Sequence, residues 1–187
     1  MKRGAVLENT ALTALGGVIS ALSVFIMFLS GIFPFLTYVI PVFSGLLIIV
    51  LVREVDLKWA FFVYCAVSIL SLLMVADKES AVMYACFFGY YPIAKNVIEA
   101  HLKTPFSQLA KFLLFNVAIV LGYVAIIYVF GIPIEDMDEF GKYTPLVLLA
   151  LGNLVFVVYD MLIRNLNFLY VKKLHKIISK IFDFNFR

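Results

Sequence analysis

Long uncharged segments alternate with short charged ones along this chain. From Asn9 to Val52, a run of 44 residues, the sequence contains no Asp, Glu, Lys or Arg. This run is enough for two membrane-crossing helices, since one crossing needs about 20 mostly apolar residues. Residues 31–41, GIFPFLTYVIP, contain a glycine and two prolines, so we expect a turn between those helices. With four further uncharged segments, the pattern predicts six spans, at residues 9–30, 36–52, 57–76, 79–99, 108–131 and 143–169.

The composition requires lipid as the surrounding solvent. Of the 187 residues, 64% are hydrophobic and 14% are charged, whereas soluble domains have about 45–50% apolar and about 25% charged residues. A water-soluble core cannot absorb this excess of apolar side chains. No linker, low-complexity tract or repeat divides the chain, so we expect a single all-α, polytopic membrane domain over residues 1–187.

The distribution of basic residues predicts the orientation of the six spans. If both termini lie inside, 13 of the 15 Lys and Arg residues lie on the cytoplasmic side, and only Lys78 and Lys142 lie outside. Short cytoplasmic loops are enriched in these residues, so we expect a multi-pass cell (plasma) membrane protein with both termini cytoplasmic. Residues 170–187 combine basic and apolar positions at helical spacing. This tail is typical of an amphipathic helix on an anionic leaflet or of a basic stop signal.

Several classes of function lack the residues that they require. The sequence has no nucleophile–base arrangement, no H-x-x-x-H pair and no Gly-rich phosphate loop, so we expect no enzyme, no metal and no cofactor. The basic residues are scattered rather than interleaved with aromatic ones, which excludes nucleic acid as a partner. The middles of the spans contain no ionisable groups except Tyr and Cys, which disfavours an ion pump or a proton-coupled carrier.

The stretch FGYYPIAKN, residues 88–96, interrupts the fourth span. Gly89 and Pro92 weaken or bend a helix, and Tyr90 and Tyr91 place two hydroxyl groups beside them. Two interpretations are open, a hinge with tight packing or direct contact with a ligand. The pattern favours the hinge.

Charged residues near the inner ends of two spans predict an ion-pair cluster. Lys95 lies 16 residues after Glu79, roughly 24 Å deeper at about 1.5 Å per residue, so its ammonium is near the inner interface. Asp160 and Arg164 are four residues apart on the sixth span and can pair on one helical face. We interpret Lys95, Asp160 and Arg164 as a structural cluster, with a coupling or gating role as the alternative.

Two amides lie deeper in the membrane. Asn153 is near the middle of the sixth span, and Asn116 lies in the inner half of the fifth. An amide in the bilayer needs a hydrogen-bond partner, which is either another helix or a ligand. Hydrogen bonding between helices is the favoured interpretation for both.

The first span carries small residues at regular spacing. Thr13, Gly17 and Ala21 are four apart, as are Gly16 and Ser20. Such a face allows a second helix to approach closely. The partner is either another span of this chain or a different subunit.

This combination resembles a known family. A chain of under 200 residues with six spans, both ends inside, a small-residue face on span 1 and an aromatic span 1–2 loop looks like an S component of energy-coupling-factor transporters. The likeness covers residues 9–172. S components bind vitamins or trace nutrients, while a membrane coupling subunit and two ATPases supply energy. The resemblance implies that Ala14, Gly17 and Ala21 contact the coupling subunit, although the family's strict alanine-x-x-x-alanine form is absent.

The resemblance also implies a ligand site among the outer halves of spans 4–6, with Tyr38, Tyr84, Tyr128 and Asn153 as candidate wall residues. Few charges lie there, which favours a neutral or aromatic small molecule over a polyanion. Two alternatives use the same architecture: a scaffold in a cell-envelope assembly that transports nothing, and a subunit or sensor that depends on partners. A water-accessible outer cavity would favour the transporter, and a packed interior would favour the scaffold.

Overall fold

The architecture is that of a computed structural model, which describes residues 2–131 and 144–169. The expected amphipathic tail lies outside these residues. All elements within them are helical, which confirms the all-α fold for the described part of the chain. They are α1 (Lys2–Ile32), a 3₁₀ turn (Pro34–Leu36), α2 (Val39–Glu54), α3 (Leu57–Met74), α4 (Lys78–Met83), a π turn (Tyr84–Phe88), α5 (Tyr91–His101), α6 (Phe106–Phe130) and α7 (Thr144–Leu169).

Four of these helices are long and apolar enough to cross a bilayer. The qualifying segments are Leu12–Ile32, Leu57–Met74, Phe106–Phe130 and Leu149–Phe168. They expose large apolar side chains to the surroundings, as at Phe25, which is 63% exposed. Such surfaces need lipid, so the chain is a membrane protein. α2 has only 16 residues and the segment from α4 to α5 is broken, so neither is an uninterrupted long helix.

The hydrophobic core has two parts that meet at α2 and at the segment from α4 to α5. One part joins α1, α2 and α3, and includes Met27, Ile48 and Val67. The other joins α2, α6 and α7 to the π turn and α5, and it is rich in aromatic rings. Phe87 and Tyr159 are completely buried there. The broken segment therefore lies in the middle of the bundle, with helices on both sides.

The break in this segment begins with a π turn. The Gly89 N–H donates to the carbonyl of Tyr84 at 2.9 Å, five residues earlier, and thus bypasses the carbonyl of Ala85. The hydroxyl of Tyr64 on α3 donates to that bypassed carbonyl at 2.6 Å. A buried backbone carbonyl needs a donor, and α3 supplies one.

Pro92 releases a second carbonyl, because proline has no N–H to donate to Phe88 four residues earlier. The hydroxyl of Tyr159 on α7 donates to the Phe88 carbonyl at 2.8 Å. α2 approaches the same point at Gly45, where a Cβ atom would overlap the Phe88 carbonyl oxygen and lie 2.6 Å from the Tyr159 hydroxyl. Only glycine leaves room for this approach.

Gly89 is required by packing. A Cβ atom there would lie 2.7 Å from ring atoms of both Tyr64 and Tyr84. Tyr90 is half-buried, and its ring meets Tyr64 edge-on with centroids 5.9 Å apart, while Tyr91 is fully buried. The segment is thus broken and closely packed at Gly89 and Pro92, and a hinge motion there stays a prediction.

Removing the Tyr159 hydroxyl tests the role of the released carbonyl. Tyr159→Phe leaves the buried Phe88 carbonyl without this donor, and we expect the free energy of unfolding to fall by about 1–3 kcal/mol. Tyr128→Phe is the control, because Tyr128 is 82% exposed. Thermal unfolding in detergent measures both variants. Equal melting temperatures for the two would show that this hydrogen bond does not stabilise the fold.

Candidate functional site

An apolar cleft of about 370 Å³ lies between the segment from α4 to the π turn, α6 and α7, next to the start of α2. Volumes of roughly 300–1,000 Å³ are typical of small-molecule sites. Two phenols and one carboxylate are the polar exceptions among its described lining residues. The lining consists of Tyr38, Glu79, Met83, Phe88, Phe115, Ile119, Val120, Tyr123, Leu149, Leu151, Gly152 and Val155.

The carboxylate of Glu79 is held at one end of the cleft. The Tyr38 hydroxyl donates to Glu79 Oε1 at 2.7 Å. The neighbouring Lys78 points elsewhere, since its ammonium donates to the carbonyls of Leu72 and Val75, both at 2.9 Å, at the end of α3. Within the part of the chain that the structure describes, Glu79 therefore has no ion-pair partner.

The cleft includes one of the four residues that the resemblance implied as its walls. Tyr38 lines it. Tyr84 is fully buried beside Gly89, with its ring centroid 6.2 Å from that of Tyr64 on α3. Tyr128 is 82% exposed, on the opposite side of α6 from its buried positions. Asn153 is adjacent to the lining residue Gly152, but its side chain bonds to α6.

The two amides form a reciprocal pair between α6 and α7. Asn116 Nδ2 donates to Asn153 Oδ1, and Asn153 Nδ2 donates to Asn116 Oδ1, each at 3.1 Å. Each Nδ2 also donates to a carbonyl four residues earlier, that of Phe112 or that of Leu149, at 2.8 Å. The geometry is that of an interhelical hydrogen bond, and it sets the spacing between two walls of the cleft.

A buried charge cluster begins at Tyr91, the first residue of α5, and extends along that helix away from the cleft. Lys95 Nζ is 2.6 Å from Asp160 Oδ1, and the Tyr91 hydroxyl donates to the same oxygen at 2.6 Å. Lys111 Nζ lies 2.8 Å from Glu99 Oε1 and 3.4 Å from Asp160 Oδ2. The two lysine side chains are only 4% and 5% exposed. Each buried ammonium is thus paired with carboxylates, as burial of a charge requires.

The cluster differs in membership from the sequence-based hypothesis. It contains Lys95 and Asp160, but Arg164 is exposed, and among the described residues no ion pair joins Arg164 to Asp160. The Asp160 carboxylate instead turns toward α5 and α6. Lys111 and Glu99 were not expected. The sequence contains an indication that Lys111 is buried. Ser107, Lys111 and Phe115 are four residues apart, and all three lie on the buried side of α6.

One side of α1, at Ala14, Gly17 and Ala21, is open in the described part of the chain. Ala14, Gly17 and Ala21 are exposed, and a Cβ atom at Gly17 would meet nothing within 4 Å. Gly16 behaves differently, since a Cβ atom there would lie 3.4 Å from the side chain of Val63 on α3. α1 therefore uses its Gly16 side for packing within the chain and leaves the Gly17 side open.

The charge cluster predicts a specific pattern of rescue. Asp160→Asn leaves the buried Lys95 ammonium without its main partner, and we expect the free energy of unfolding to fall by about 3–5 kcal/mol. Adding Lys95→Met removes the stranded charge and should recover part of the folded yield, whereas adding Arg164→Ala should recover none. The monodisperse fraction in size-exclusion chromatography measures all three variants. Rescue by Arg164→Ala but not by Lys95→Met would contradict the assigned pairing.

Comparisons with known proteins find no match for this chain. The sequence matches no family model, no curated protein and no solved structure. Function is therefore inferred from the cleft, the charge cluster and the open face of α1.

Proposed function

We propose that this protein is a membrane-embedded binding subunit that captures a small, largely apolar molecule and works as the S component of an energy-coupling-factor type uptake transporter. The observation that carries the proposal is the cleft of about 370 Å³, with apolar walls and polar groups at one end. This combination is characteristic of small-molecule sites, in which apolar walls supply affinity and a few polar groups fix the orientation.

The proposal includes the topology that transport requires. α2 and the segment from α4 to α5 cross the membrane with the four long helices, which gives six spans with both termini cytoplasmic. The Glu79 end of the cleft then faces outward and the Lys95 cluster lies at the inner end, in agreement with the distribution of basic residues. In this arrangement the ligand enters from outside, and the ion pairs close the inner end of the bundle in the plasma membrane.

The energy for uptake comes from partner proteins in this proposal. The sequence contains no Gly-rich phosphate loop, so hydrolysis is assigned to two ATPases and force transmission to a membrane coupling subunit. The open face of α1 at Ala14, Gly17 and Ala21 supports a docking site for that subunit, because small exposed residues let two helices approach closely.

The scaffold in a cell-envelope assembly is the second candidate. The open α1 face favours it equally, since a scaffold also needs a surface for partners. The cleft favours the binding subunit, because a scaffold has no use for an apolar space of this size. The walls are almost entirely apolar, which supports a ligand with an apolar or aromatic body.

Filling the cleft tests ligand capture. Val155→Trp places an indole in the space between α6 and α7, and we expect at least a tenfold loss of the small molecule that co-purifies with the protein. Val158→Trp is the matched control, because Val158 is 49% exposed on the same helix and does not line the cleft. Mass spectrometry of extracts from protein purified out of its own host measures the difference. Equal recovery from both variants would place the ligand elsewhere.

Blocking the α1 face tests the coupling proposal. Gly17→Leu adds a side chain in open space, so folding should persist while recovery of a coupling subunit and ATPases from the host falls at least tenfold. Val18→Leu, at an exposed neighbouring position, should leave recovery unchanged. Affinity purification with mass spectrometry provides the measurement. Envelope-assembly proteins in place of ATPases would favour the scaffold.

A further inference from the structure

We propose that the ligand captured by the cleft is an amphiphilic organic cation, with an apolar or aromatic body and one amine or ammonium group that binds Glu79. This inference rests on the proposed function, since it names the class of molecule that the cleft takes. The body would occupy the apolar walls, and the charged group would lie at the end where Tyr38 and Glu79 meet.

The charge balance of the cleft carries the inference. Glu79 is the single charged side chain among the described lining residues, and no lysine, arginine or histidine lines the space with it. Its neighbour Lys78 is held by two carbonyls at the end of α3. Glu79 is partly buried, and no described residue provides it with a counter-ion, which favours a cationic partner because pairing offsets the loss of hydration.

The aromatic lining favours an organic cation over a neutral molecule. Tyr38 and Tyr123 line the cleft together with Glu79. The faces of aromatic rings attract ammonium groups within about 6 Å of the ring centre. The Tyr38 hydroxyl already donates a hydrogen bond to Glu79. This bond holds the carboxylate in one position, ready for a cationic partner.

Other occupants fit less well. An anion would meet Glu79 with no basic side chain among the described lining residues to offset the repulsion. Calcium and magnesium ions prefer six or more oxygen ligands, and no group of three His, Cys, Asp or Glu side chains forms a metal site in the described residues. A lipid acyl chain would fill the apolar space but would bring no positive charge to the Glu79 carboxylate, which would keep only the Tyr38 hydroxyl.

Three probes with the same phenylethyl-type body separate these occupants. They are 2-phenylethylamine, which is protonated at neutral pH, the neutral 2-phenylethanol, and the anion phenylacetate. Binding to the purified full chain in lipid nanodiscs is measured by isothermal titration calorimetry. We expect the amine to bind at least tenfold more tightly than the alcohol, and the anion to bind most weakly.

Two variants assign the preference to one carboxylate. Glu79→Gln should lower amine affinity at least tenfold and leave alcohol affinity unchanged. Asp77→Asn is the matched control, since Asp77 caps the start of α4 two residues before Glu79 and does not line the cleft. Its Oδ1 accepts from the Ser80 N–H at 3.1 Å. An asparagine retains that acceptor, so amine affinity should persist.

The outcomes separate this inference from the function on which it rests. If the alcohol or the anion binds as tightly as the amine, and Val155→Trp blocks it, the cleft captures ligands but the cation preference is overturned. An unchanged amine affinity in Glu79→Gln also overturns it. If none of the three probes binds, the inference fails, and if in addition no small molecule co-purifies with the protein, the proposed function fails too.

Discussion

Each buried backbone carbonyl needs a hydrogen-bond donor, and the broken segment from α4 to α5 meets this constraint with side chains from its neighbours. The π turn and Pro92 release two carbonyls, which accept from Tyr64 on α3 and Tyr159 on α7. Gly45 lets α2 reach the same point. Three helices are therefore positioned around one irregular turn, and the two halves of the core meet there.

The same segment connects the cleft to the charge cluster. Phe88, whose carbonyl is bound by Tyr159, contributes its side chain to the cleft. Three residues later, Tyr91 donates to Asp160 and joins the charge cluster. The cleft is open enough for a ligand, whereas the other end of the segment is closed by paired lysines and carboxylates. A binding subunit that accepts its ligand from one side needs this asymmetry.

Sequence patterning predicts the helices and the break at Gly89 and Pro92, because both follow from local composition. It does not predict which side of a helix faces the core, because that depends on how the helix is rotated in the bundle. Tyr128 and Lys111 lie on the same helix, yet packing exposes the first and buries the second.

The π turn adds a residue to the fourth predicted span, which changes the direction of the side chains after it. Helical spacing alone therefore does not predict which side of the span those residues occupy. Asp160 likewise pairs with Lys95 on α5 and Lys111 on α6, and not with the predicted partner Arg164.

The central claim is that the space between the π turn, α6 and α7 holds a small molecule. An experimental structure of the full chain, purified from its host and reconstituted in lipid nanodiscs, tests this most directly. The account predicts compact, non-lipid density against Phe88 and Phe115, with one end at the Glu79 carboxylate. Side chains that close the space, or acyl chains that run through it continuously from the bilayer, would contradict the claim.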